Sequence, residues 1–235
     1  MDRVLLNVKR FKQQPSECAL AVTASLARFF DENVDYESVR SMMKPSKRKK
    51  GLYTSQQGRL LNRLGFSKIS IVTADLNLVD FGWTKYTKKS LIRRMKKLRA
   101  YYRRTKEHYL WEYVNDMVDW LEDPECDNNI IIDYDFKKYI KRQLDRGVPV
   151  GAAVSWTSLF KFSKGTGDRR RNGDIKGNPE DHAIVLRGYD AKGVFVVDSH
   201  HQYYKGRWAK YHRGYYKLPW EKFLVNIPGG DLILL

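Results

Sequence analysis

Gln13-Gln14-Pro15-Ser16-Glu17-Cys18-Ala19-Leu20-Ala21-Val22-Thr23-Ala24-Ser25-Leu26-Ala27-Arg28-Phe29-Phe30 passes from a polar turn, through a thiol, into an apolar run. Pro15 marks the break before a helix, Ser16 is the expected N-cap, and Glu17 puts a carboxylate in the first turn, where the helix dipole favours negative charge. Cys18 then falls in the opening turn. From Cys18 onward nearly every position is small or apolar, so no polar face is left for water, and the helix is expected to be buried on all sides in the middle of a domain. A thiol at a helix N-terminus has its pKa depressed towards neutrality, which makes Cys18 a candidate nucleophile. The alternative is that it only packs, since free cysteines are among the most buried residues.

Partners for the thiol lie far along the chain. Gly147-Val148-Pro149-Val150-Gly151-Ala152-Ala153-Val154-Ser155-Trp156, Asp181-His182-Ala183-Ile184-Val185-Leu186-Arg187-Gly188-Tyr189-Asp190 and Gly193-Val194-Phe195-Val196-Val197-Asp198-Ser199 are short Val- and Ile-rich runs bounded by Gly and Asp. They predict three strands, the last two joined by a tight turn at Asp190-Ala191-Lys192-Gly193. His182 opens one strand and Asp198 closes the next, so an antiparallel hairpin brings them side by side. A carboxylate there fixes the tautomer of the imidazole and stabilises the protonated ring, the supporting role in a Cys-His-Asp triad.

These segments resemble the papain-like cysteine peptidases of the C39 (bacteriocin-processing) type and their stand-alone C39-like relatives. The shared features are a Gln-rich turn before Cys-Ala-x-Ala opening a helix, a Gly-x-Pro-Val strand, His-Ala-Ile-Val-x-x-Gly-Tyr-Asp, and Val-x-Asp ending the following strand. They cover roughly the first thirty residues and Arg146 to Ser199. The resemblance implies a papain-like α+β fold, with Cys18 as nucleophile, His182 as general base and acid, and Asp198 as the orienting third member. It also implies a glutamine, five or six residues before the cysteine, donating its amide to the oxyanion beside the cysteine N–H. Gln13 is five upstream and is favoured; Gln14, four upstream, stays open. C39 domains proper are fused to membrane transporters and cut leader peptides after a Gly-Gly pair. No transporter accompanies these residues, so the implied substrate is a polypeptide of unspecified sequence. No cofactor is implied.

With 235 residues the expectation is a single papain-like domain spanning 1–235, carrying a helical insertion at about 88–128. Two cysteines, Cys18 and Cys126, cannot make a disulfide framework, and Cys126 has no histidine near it for metal binding. The N-terminus lacks the apolar run of a secretory signal, and no segment is long enough to span a bilayer, so a cytoplasmic protein is expected. The formal net charge is +17, with a pI near 9.8, which raises an anionic partner, nucleic acid or acidic protein. Candidate surfaces are the basic helix 90–106, with Arg93, Arg94, Lys96, Lys97, Arg99, Arg103 and Arg104 around a Leu91, Met95, Leu98, Tyr102 stripe, and the basic loop 157–180. The loop leads into His182 and is expected to border the cleft. A catalytically inactive papain-like module, or a basic structural protein holding such a partner, is the competing function.

Local signals fill in the remainder. Val4 to Val8 predicts a strand, Asp35 caps a helix through Met43, Thr54 to Leu64 predicts a helix stopped by Gly65, and Lys68 to Val72 alternates like a strand. Ser90 to about Glu122 predicts a long helical region, one helix or two, with a basic half and an acidic half bearing Asp116, Asp119 and Glu122, which can fold back on each other. Asn129 to Ile132, Tyr134 to Arg146, Trp220 to Val225 and Gly229 to Leu235 predict a strand, a helix, a short helix and a terminal strand. His200 and His201 are adjacent, so on a strand they point to opposite faces and make a poor metal pair. The aromatic and basic residues 203–216 suit either a twisted sheet or base stacking.

Overall fold

Helix α1 (Cys18–Phe30) buries every residue from Ala19 to Ala27, as its composition requires. Its two buried hydroxyls are satisfied within the helix, Thr23 Oγ1 donating to the Ala19 carbonyl at 2.8 Å and Ser25 Oγ to that of Ala21 at 2.9 Å. The computed structural model describes residues 3–44, 51–160, 180–200, 214–227 and 230–235. On one side of α1, Leu20, Ala21 and Ala24 meet Tyr36 and Val39 of α2 (Tyr36–Ser41) and Leu60 of α3 (Thr54–Arg63). On the other, Ala19, Val22, Leu26 and Ala27 pack with Ile71, Ala183, Val185, Val197 and Ile233 of a sheet. The Asp35 cap forms as expected, its carboxylate accepting from Ser38 N at 2.7 Å. Gly65, at φ +95°, ends α3.

The strands are β1 (Val4–Leu5), β2 (Ser70–Thr73), β3 (Asn129–Ile132), β4 (Val150–Ser155), β5 (Asp181–Asp190), β6 (Gly193–Val197), β7 (Tyr215–Pro219) and β8 (Asp231–Leu234). Among the described residues they form one sheet in the order β3-β2-β8-β4-β5-β6-β7, with β1 paired to β5. The predicted turn joins β5 to β6, Asp190 Oδ1 accepting from Lys192 N at 2.8 Å and Gly193 N at 3.1 Å. All pairings are antiparallel except β2 with β3. That parallel pair departs from the antiparallel sheet expected. It follows from the long crossover between the two strands, which holds α4 (Lys88–Thr105) and α5 (His108–Leu121). The far face of the sheet is covered by α6 (Phe136–Asp145), through Phe136, Ile140 and Leu144, and by Trp220 and Phe223 of α8 (Trp220–Leu224). A short helix, α7 (Trp156–Phe160), continues directly from β4. The architecture is α+β, helices preceding a mostly antiparallel sheet.

The basic and acidic halves do fold back. Lys106 takes a left-handed conformation (φ 61°) and reverses the chain, after which Lys96 reaches Glu122 at 2.6 Å and Arg99 reaches Asp119 at 3.8 Å. α5 also supplies Val114, Met117, Val118, Trp120 and Leu121 to the core.

Three local expectations are corrected. Ser16 is not the N-cap of α1: it is left-handed at φ 63°, and Glu17 occupies the cap position with no side-chain cap bond. The reason is that the buried Glu17 carboxylate is drawn away by the Tyr36 hydroxyl and by Arg40 Nε at 2.9 Å. The first strand shrinks to Val4–Leu5, although Leu6 N still donates to the Arg187 carbonyl. The loop expected from Thr157 starts as helix α7, where the Trp156 and Thr157 N–H groups both donate to the Glu180 carbonyl, at 2.8 and 3.3 Å. The rest of that basic loop, residues 161–179, lies outside the described residues, as do His201, the aromatic and basic positions 203–213, and 45–50. No helix among the described residues is long and apolar enough to cross a membrane.

Candidate active site

Cys18 is the first residue of α1, so its N–H has no helical carbonyl to bond and stays available at the positive end of the helix. The turn before it is tied to α2 by the Tyr36 hydroxyl, which accepts from Gln14 N at 3.1 Å and donates to Glu17, and by Arg40, whose Nε donates to Glu17 at 2.9 Å. Cys18 packs against the core cluster that holds Ala183 of β5, and the thiol feels the His182 imidazole and the backbone N–H groups of Ala183 and Ala19. Burial pushes the thiol up. The hydrogen bond and charge of His182, helped by those two N–H groups, outweigh it and bring Cys18 below its ordinary value.

His182 and Asp198 are brought together by register. β5 and β6 pair Val185 with Val197, so one further step sets Asp198 opposite Ile184, on the diagonal from His182. The result is His182 Nε2 at 2.8 Å from Asp198 Oδ1, both residues buried. An ionised carboxylate only accepts, so Nε2 carries the proton and Nδ1 is the nitrogen left for the thiol. Asp198 is held further by the His200 N–H on Oδ1 and the Tyr216 hydroxyl on Oδ2, each at 2.8 Å. Burial opposes a charged ring at residue 182. The Asp198 charge and hydrogen bond, with the Cys18 sulfur, override it and push the imidazole up to about 9. The two shifts have opposite signs, as two groups that each stabilise the other's charged form must have.

Gln13 also lies at this site. Its Oε1 accepts from the Ser199 hydroxyl at 2.7 Å and its N–H donates to the Ser199 carbonyl at 3.3 Å. Gln14 is exposed, and its hydrogen bonds to Tyr36 and Glu17 are made by its backbone. Of the sequence-predicted residues, Cys18, His182, Asp198 and Gln13 are therefore gathered in one place and Gln14 is turned outward. Among the described residues no group of three or more His, Cys, Asp or Glu side chains is placed to hold a metal ion.

Several neighbours carried no usable signal in the sequence. Trp156 stands edge-on to His182, ring centroids 4.0 Å apart, and covers the imidazole. Arg10 donates from Nε to the Asp198 carbonyl and from Nη2 to that of Ser199 at 2.9 Å. Gly214 makes room for it: at φ +91° a Cβ there would fall 2.2 Å from Arg10 Nε. Tyr216 falls in the aromatic and basic stretch that suits either a twisted sheet or base stacking, neither of which points to Asp198.

Residues 5–224 match the Peptidase_C39 like family, and the chain belongs to that family. A chain from Bacillus anthracis whose crystal structure is described as that of a C39-like peptidase is similar at 15% identity and a TM-score of 0.45, over 100% of this chain and 98% of that one. No curated protein matches the sequence.

Proposed function

We propose that this chain is a cysteine peptidase that hydrolyses a peptide or isopeptide bond through a thioester on Cys18. Nδ1 of His182 holds the thiol proton, and the thiolate adds to the scissile carbonyl, forming C–S and driving the carbonyl electron pair onto oxygen. The Cys18 N–H and the Gln13 amide stabilise that oxyanion. The oxyanion then collapses, the C–N bond breaks, and His182 passes its proton to the leaving amine. Water, deprotonated by the same ring, cleaves the thioester and releases the acid. Asp198 keeps Nε2 protonated and stabilises the imidazolium throughout. The observation that carries this reading is the 2.8 Å His182–Asp198 contact beside a thiol whose pKa is lowered. Membership of the family supports a polypeptide substrate.

Alkylation by iodoacetamide tests it. Cys18 is expected to react at mildly acidic pH, where an ordinary thiol is inert. In His182→Ala the main lowering influence is gone while burial stays, so reaction shifts to more alkaline pH, and peptide hydrolysis falls at least about 10³-fold. Equal alkylation of both proteins at acidic pH would remove the nucleophile from the proposal.

A second reading, an anionic partner held by the basic helix, has one supporting observation. Lys89, Arg93, Lys97 and Arg103 are exposed, and among the described residues none of them forms an ion pair.

A further inference from the structure

The hydroxyl of Ser199 belongs to none of the reacting groups, yet it is buried and engaged. A glutamine amide has one accepting end and one donating end, and rotation about its last bond exchanges them. The two senses are opposite for a group facing developing negative charge: the NH2 end stabilises it and the oxygen end repels it. In this structure the oxygen end is taken, because the Ser199 hydroxyl donates to Gln13 Oε1 at 2.7 Å. The NH2 end is what remains for a second partner.

The backbone that presents this hydroxyl is itself anchored. Arg10, on the same N-terminal segment as Gln13, reaches over Gly214 and bonds the carbonyls of both Asp198 and Ser199. Arg10 N in turn donates to the Tyr215 hydroxyl at 3.1 Å, and that hydroxyl donates to the Val8 carbonyl at 3.1 Å. Residues 8–13 are thus laced to the end of the hairpin that carries Asp198. We infer that Ser199 is a positioning residue that sets the sense of the Gln13 amide, with Arg10 as its strut. The inference rests on the reading of Cys18 as nucleophile and Gln13 as oxyanion donor.

Two reactions at one sulfur separate this role from a general structural one. Acylation by p-nitrophenyl acetate forms C–S at a trigonal carbonyl, builds an oxyanion, and expels nitrophenolate. Alkylation by iodoacetamide forms C–S at a tetrahedral carbon, expels iodide, and builds no oxyanion. Both rates are measured on the full chain, with Cys18→Ala subtracted for Cys126, in Ser199→Ala, Gln13→Ala and the double variant. Loss of the donor in Gln13→Ala slows acylation on the order of 10²-fold, and loss of its orientation in Ser199→Ala roughly tenfold. The double variant is no slower than Gln13→Ala, because a residue acting only through the amide has nothing to act on once it is gone. Alkylation keeps its wild-type rate and pH profile in all three, and Ser199→Thr, which retains the hydroxyl, restores acylation. Wild-type acylation in Ser199→Ala, or losses that multiply in the double variant, overturns the inference. So does an alkylation profile that shifts along with acylation, which would place the effect on the His182–Asp198 pair. A wild-type Cys18 that neither alkylates at acidic pH nor acylates overturns the functional reading itself.

Discussion

Asp198 accounts for most of the chemistry assigned to His182. Each of its oxygens is occupied, Oδ1 by the imidazole and the His200 N–H, Oδ2 by the Tyr216 hydroxyl. Asp198→Asn keeps the shape and one accepting oxygen but removes the charge. The charge is what raises the ring against burial, so its loss lets His182 give up its proton at lower pH. Peptide hydrolysis, which needs the protonated ring for the leaving amine, is therefore expected to fall on the alkaline side at about 9 in the wild type. In Asp198→Asn that limb moves to lower pH by about a unit or more. Alkylation at acidic pH drops in the same variant, since a neutral ring no longer stabilises the thiolate. A limb that stays in place would show that Asp198 does not set the ring's proton affinity. At this scale Cys18, His182 and Asp198 could be picked out from the chain, because each sits at a fixed place relative to a helix start or a strand end. Trp156, Ser199 and Arg10 could not. Nothing in a Trp after a strand, a Ser after an Asp, or an Arg near the N-terminus says which ring or carbonyl it will meet.

Between elements, α3 meets α5 closely at Gly58. A Cβ there would lie 2.7 Å from Trp120 Nε1 and 2.9 Å from Cε2, and that indole N–H donates to Asn62 Oδ1 at 3.1 Å. Gly58→Ala would gain about 1 kcal/mol in helix propensity. It would lose about 1–3 kcal/mol by overpacking a fully buried tryptophan, and more with the Asn62 bond. The net sign is destabilising, expected as a fall of a few degrees in the thermal midpoint, about 2–4 °C per kcal/mol for a chain of this size. The rate of Cys18 alkylation should be unchanged. A rise in midpoint would mean that the indole moves aside freely. Most elements were legible from periodicity and turn chemistry, as with the Asp35 cap and the Asp190–Gly193 turn. The failures share a cause. Ser16 has the right residue type for a cap but lost the position when Tyr36 and Arg40 claimed Glu17, and α7 forms where composition suggested only a loop.

Across the whole molecule the charge is divided unevenly. The hairpin of α4 and α5 spends Lys96 and Arg99 on its own carboxylates, while Lys89, Arg93, Lys97 and Arg103 face outward. If those four cations hold a single-stranded nucleic acid, the logarithm of affinity should fall with the logarithm of salt at a slope of about 3, and Arg93→Glu with Lys97→Glu should halve it. No retention at low salt would dismiss that partner and leave the charge as a property of solubility. The sequence by itself determined most of the helices and strands and which helix is buried, because backbone preference, hydrophobic period and turn residues act within a few positions, and its resemblance to a peptidase family singled out three side chains. Only the tertiary structure decided that Gln13 meets Ser199, that Arg10 spans Asp198 and Ser199, that β2 and β3 run parallel, and that Trp156 covers His182. Those contacts join residues far apart along the chain. They depend on strand register, side-chain direction and the packing of distant elements, which no local pattern encodes.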